Sequence, residues 1–180
     1  AAVKNPALLV EACVAAGASE LTLIGDGPDR EALRKLAKGG RLEVNLPGAM
    51  PQAELVSCLR RGEVFVLPST VEGHPKALFE AMATGLPCVG TRVPGIENAI
   101  RDGETGLLCE VRADAVARAL GRRFADGELR RRLGAAGRRE VEQTLSFSTV
   151  MDAEIRVASR LLAGAGSFSE PQPQPVSQAA

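Results

Sequence analysis

Short apolar runs recur along this chain, separated by segments long enough to be helices. They are Leu21–Ile24, Val64–Leu67, Cys88–Gly90 and Gly106–Cys109. Most of them are continuous and do not alternate with polar residues. A strand that is apolar at successive positions is buried on both faces, which is the situation of a parallel strand covered by helices on each side. Parallel neighbours also need a long crossover, and the spacing between the runs supplies one. The pattern predicts an α/β fold with a Rossmann-like, doubly wound parallel sheet. In such a sheet ligands bind at the carboxyl ends of the strands.

The segments between the runs read as helices. Asn5-Pro6 looks like an N-cap with proline at the first helical position, and Gly17 closes that helix. Gly25-Asp26-Gly27-Pro28 is a tight turn that opens a second helix, reaching about Lys38. Leu42–Leu46 is a further strand, closed by Pro47-Gly48, and Pro51–Arg61 is helical. A helix from Pro75 ends at Gly85, and a short one spans Ile96–Ile100. Helices at 113–124, 128–144 and 147–162 complete a domain of residues 1–163. Residues 164–180 are rich in Pro, Gln and Ser, cannot build a core, and are expected to be a disordered tail. Ala1-Ala2-Val3 runs straight into a helix where such a domain would open on a strand, so the chain is expected to be part of a longer one.

Composition narrows the chemistry. Lys plus Arg and Asp plus Glu both number 22, so nothing global favours nucleic acid or an anionic membrane. With no Trp or Tyr, stacking platforms for bases are scarce. Cys13, Cys58, Cys88 and Cys109 form no C-x-x-C pair and read as free, mostly buried thiols suited to a reducing cytoplasm. The arginines at 130–132 and 138–139 have flanking acids and read as a solvated helix face.

One segment concentrates the polar groups that could do chemistry. Glu72 and Glu80 bracket the turn between the strand ending at Leu67 and the helix opening at Pro75. The first amides of a helix have no internal partners, so those of Lys76, Ala77 and Leu78 are expected to face an anion, aided by the helix dipole. Gly73 would let that anion approach the main chain. A carboxylate on either side suits sugar hydroxyls, and Glu80 suits a vicinal diol such as ribose. Helix capping alone would also account for glutamates here.

The ordered set Pro68-Ser69-x-x-Glu72-Gly73-x-Pro75-x-x-Leu78-x-Glu80-Ala81-Met82-Ala83-x-Gly85-Leu86-Pro87 resembles the signature of retaining glycosyltransferases of glycosyltransferase family 4, also called group 1. Further matches run from Lys4-Asn5-Pro6, through Leu23–Pro28, Leu46-Pro47-Gly48 and Met50–Leu55, to Thr91–Ile96 and Asp102–Leu108. The resemblance covers most of residues 4–163. It implies the C-terminal, donor-binding half of a GT-B fold, whose two Rossmann-like domains face a cleft.

By this resemblance Lys4 matches the lysine on the donor diphosphate, and Glu72 the glutamate near the donor sugar; both are the candidate catalytic residues. Glu80 matches the ribose ligand. Gly73, His74, Pro75, Lys76, Ala77 and Leu78 match the loop that holds diphosphate and sugar, and Met50 and Leu55 fall near the nucleobase pocket. No metal or cofactor is implied; the donor substrate is an NDP-sugar, with UDP or GDP as the nucleotide. The implied partners are an N-terminal acceptor-binding domain and a glycan or lipid acceptor, in the cytoplasm or at the cytoplasmic face of a membrane through peripheral association. Nucleic acid is not among them. The sequence departs from the family at Asn98, where a glutamate is usual, and it lacks the arginine expected before Lys4. Two other readings share the fold: a sugar-nucleotide epimerase, and a nucleotide-binding module without turnover.

Overall fold

A computed structural model describes residues 3–38, 41–121, 126–146, 149, 151, 154–157 and 159. The chain divides into two compact units, residues 1–143 and 144–180.

In the first unit strands and helices alternate. The strands are β1 (Glu20–Ile24), β2 (Glu43–Gly48), β3 (Phe65–Leu67), β4 (Cys88–Thr91) and β5 (Leu107–Cys109). The helices are α1 (Pro6–Ala16), α2 (Arg30–Ala37), α3 (Gln52–Arg61), α4 (Lys76–Ala83), α5 (Pro94–Glu97), α6 (Ala113–Leu120) and α7 (Gly127–Thr144). Every described strand pair is parallel, as the continuous apolar runs required. The pairs form two ladders, β1–β2 and β3–β4–β5.

Helices bury apolar residues against these strands in separate clusters. Leu78, Ala81 and Met82 of α4 pack with Leu67, Cys88, Ile96 and Ile100. Leu9, Val10 and Cys13 of α1 meet Leu33 of α2 and Val116 of α6, with Leu21, Leu23, Val44 and Val66 against them. Removing this much apolar surface from water drives the fold, at about 2–3 kcal/mol for each large side chain fully buried. Helix α7 closes on the loop after α4 at very short range. A Cβ on Gly134 would stand 2.1 Å from the carbonyl oxygen of Gly85, so only glycine permits that contact.

Several boundaries differ from the sequence expectation. Asn5 occupies the N-cap position of α1 but makes no side-chain cap; its backbone is left-handed, at φ 47° and ψ 53°. Helix α2 starts at Arg30, because Pro28 and Asp29 form a turn. Strand β2 runs on through Pro47 to Gly48, which pairs with Ile24 across a register shift. The short helix lies at Pro94–Glu97, fixed by extended Val93 and by Pro94 at its first position. Helix α6 stops at Leu120, with Gly121 as its C-cap.

In the second unit, Ser146 Oγ accepts the Thr149 N–H at 3.3 Å. The described positions from Thr149 to Ser159 are helical, within the helix expected at 147–162. Met151, Ile155 and Val157 are exposed there. Val150, Leu161 and the expected tail at 164–180 lie outside the described residues.

Candidate functional site

The loop between β3 and α4 is a tight, well-held turn. Pro75 sits at φ −80° and ψ 71°, and the Lys76 N–H donates to His74 O at 2.9 Å, which together make an inverse γ-turn. Leu78 and Phe79 both donate their N–H groups to Pro75 O. This corrects the expectation that three consecutive amides at 76–78 stand open. Two of them are used to close the turn. Among the described residues from Val71 to Leu78, the amides without an acceptor are those of Val71, Glu72, Gly73, His74 and Ala77. The Leu78 side chain is fully buried and Pro75 is buried too, so both anchor the loop in the core.

Both glutamates are mostly covered, and each is gripped through one oxygen. Lys4 Nζ lies 2.5 Å from Glu72 Oε2, and Ser69 Oγ donates to the same oxygen at 3.2 Å. The Glu72 side chain is 11% exposed against 60% for Lys4, so a flexible cation covers a fixed anion. Lys4 is brought there by its flanks: the Thr70 N–H donates to Val3 O at 2.9 Å, and left-handed Asn5 turns the chain into α1. Asparagine tolerates that conformation better than most residues. Glu80 Oε1 accepts from Gln52 Nε2 at 3.0 Å and pairs with Lys76 Nζ at 3.2 Å. Lys76 is 78% exposed, and such a pair contributes ~1 kcal/mol at most, so it yields readily to a better ligand for Glu80. No partner among the described residues holds the second oxygen of either glutamate.

A glycine fixes the loop from the other side. The Gly95 N–H donates to Glu72 O at 3.1 Å. A Cβ on Gly95 would lie 2.3 Å from that oxygen and 2.5 Å from Gly73 O. The start of α5 therefore rests directly on the Glu72–Gly73 main chain.

The remaining predicted residues fall at different places. His74 is exposed, with its ring 5.0 Å from that of Phe79 in a tilted contact. Met50 lines a groove of about 310 Å³ along α3, with Ala53, Glu54, Ser57, Cys58 and Arg61. Leu55 is not on that groove; it packs against the core beside Leu59. Gln52 touches Glu80 and was not singled out in the sequence. Its only signal there is its place just after Pro51, at the opening of a helix that follows a strand.

The family described as glycosyl transferases group 1 matches residues 1–140. The chain is 36% identical over 124 residues to the N-acetyl-alpha-D-glucosaminyl L-malate synthase of Bacillus anthracis, covering 68% of this chain and 32% of that protein. It is 33% identical over 150 residues to the lipopolysaccharide core biosynthesis glycosyltransferase LpsE of Rhizobium meliloti, covering 83% and 44%. Among solved structures, a sucrose-phosphate synthase from Thermosynechococcus elongatus superposes with a TM-score of 0.82 at 27% identity, over 89% of this chain and 43% of that one. The C-terminal domain of a group 1 glycosyl transferase from Francisella tularensis shares the fold at a TM-score of 0.71 and 22% identity, over 81% of each chain. The match thus spans less than half the length of these two relatives, 32% of one and 44% of the other. With its parallel strands, its two gripped glutamates and a family match across the first 140 residues, this chain belongs to the group 1 glycosyl transferases and forms one Rossmann-like half of a GT-B fold.

Proposed function

We propose that this chain is the donor-binding half of a retaining glycosyltransferase, which moves a sugar from an NDP-sugar to a hydroxyl of a glycan or lipid. The observation that carries the reading is the clustering of Lys4, Glu72, the open amides of Gly73, His74 and Ala77, and Glu80 around one turn. In this reading the diphosphate lies over those amides, where the helix dipole favours negative charge. Glu72 meets the hydroxyls of the donor sugar, and Glu80 uses its open oxygen on the ribose diol.

As the bond between the anomeric carbon and the diphosphate oxygen breaks, that oxygen keeps the bonding pair, the acceptor hydroxyl oxygen bonds to the same carbon, and its proton passes to the departing diphosphate. Lys4 and the α4 terminus offset the new charge. Lys4 must then exchange part of its contact with Glu72 for the phosphate, and its exposure leaves it free to do so. The acceptor and its binding surface belong to a second domain in this reading, since the transfer needs both substrates held together.

Calorimetry with UDP-glucose and GDP-mannose tests the proposal. The chain should bind one of them, and Glu80→Ala should lower that affinity about tenfold, the loss of a charged hydrogen bond to a hydroxyl. Unchanged affinity in Glu80→Ala would remove the ribose assignment.

A further inference from the structure

Thr91 closes β4 with a fully buried side chain. Its hydroxyl lies 2.6 Å from Ser69 O and 3.3 Å from Leu67 O, both at the end of the neighbouring strand β3. Ser69 is fully buried as well, and its own hydroxyl donates to Glu72 Oε2. Two buried hydroxyls in succession are not a packing requirement, because valine or alanine would fill much the same space without desolvating a polar group. They do form a continuous line from the tip of β4 to one oxygen of Glu72. The Gly95 N–H, four residues after Thr91, reaches the carbonyl of the same glutamate.

We propose that Thr91 is a positioning residue for Glu72. It holds the Ser69 main chain at the end of β3, so that Ser69 Oγ and Lys4 occupy Oε2 and turn Oε1 toward the donor sugar. This rests on the reading of Glu72 as the group that meets that sugar. Thr91 itself touches no substrate; it acts only through Ser69.

The test is a double-mutant cycle in this chain, read by calorimetry with UDP-glucose or GDP-mannose, whichever the unaltered chain binds, and with the matching nucleoside diphosphate. Thr91→Val should weaken sugar-nucleotide binding about fivefold, the scale of one hydrogen bond, and leave the plain diphosphate within about twofold. Thr91→Ser keeps the hydroxyl and should restore the affinity. In a Glu72→Ala background Thr91→Val should cost nothing further, because the group it positions is gone. An equal loss for both ligands, or the same loss in the Glu72→Ala background, would overturn the proposal and leave Thr91 a fold-supporting residue. If Thr91→Val does not fold by circular dichroism, Ser69→Ala replaces it in the same cycle with the same expected outcomes. A wild-type chain that binds neither sugar nucleotide would refute the donor-site reading and this inference together, whereas binding with an additive cycle would refute the inference alone.

Discussion

Replacing Gly95 by alanine should damage the site without touching any of its polar side chains. The added Cβ would stand 2.3 Å from Glu72 O, 2.5 Å from Gly73 O and 2.7 Å from the Glu72 carbonyl carbon. A carbon and an oxygen settle at about 3.3 Å, so the loop must withdraw by roughly 1 Å. All three contacts are main chain, and the loop is closed by the γ-turn at buried Pro75, so it cannot swing aside as a side chain would. Overpacking of this kind costs about 1–3 kcal/mol. The Gly95 N–H to Glu72 O bond is stretched as well, adding about 1 kcal/mol. A total of about 2–4 kcal/mol corresponds to a fall in Tm of roughly 5–15 °C in a chain of this size. The displaced Glu72 should also cost at least tenfold in sugar-nucleotide affinity, since ~1 Å of misplacement is enough to spoil an oriented contact. Thermal unfolding followed by circular dichroism reads the first effect, and calorimetry the second. Gly73→Ala is the control: no atom lies within 4 Å of its Cβ position, so its Tm should stay within about 2 °C of wild type. A Gly95→Ala protein that melts with wild type and binds donor normally would refute the argument from close contact.

Gln52→Ala should release one of the two contacts on Glu80 Oε1 and weaken nucleotide binding about threefold to fivefold. That loss should vanish with a 2′,3′-dideoxy nucleotide if Glu80 holds the ribose as proposed; a loss that persists would mean Gln52 acts elsewhere. The thiols set a limit on alkaline stability. Burial pushes Cys13 up to about 11 and, with Glu110 nearby, Cys109 to about 11, while Cys88 is raised further. An unfolded thiol ionises near 8.5. The unfolded state therefore loses its protons first, so stability is intact below about pH 8.5 and declines as pH rises toward 11. Urea midpoints between pH 8 and 10.5 should fall, and a flat profile would contradict the burial of these thiols.

The fold was legible because burial on both faces leaves a one-dimensional trace: runs such as Val64–Leu67 have no polar positions to offer water. The candidate site was legible in its charged members, since Glu72, Glu80 and Lys4 stand in a recognisable order. What the chain concealed is contact across long separations. Gln52 meets Glu80 across 28 residues, and Thr91 meets Ser69 across 22, with no periodicity linking them. The closure of the loop was hidden for another reason. Pro75 was expected to leave the following amides open, but its ψ of 71° bends the chain so that Lys76 and Leu78 bond locally. Asn5 likewise resembled a cap in sequence, yet it serves as an elbow.

The division of the strands into two ladders has a mechanical corollary. One apolar cluster joins them, since Leu21 and Val44 of the first ladder and Val66 of the second pack against the same core. Helix α1 touches β1, α2 and α6, and Lys4 lies just ahead of its first turn. The Val3–Thr70 bond ties the chain ahead of α1 to the segment that follows β3, and so anchors the place from which that ammonium reaches Glu72.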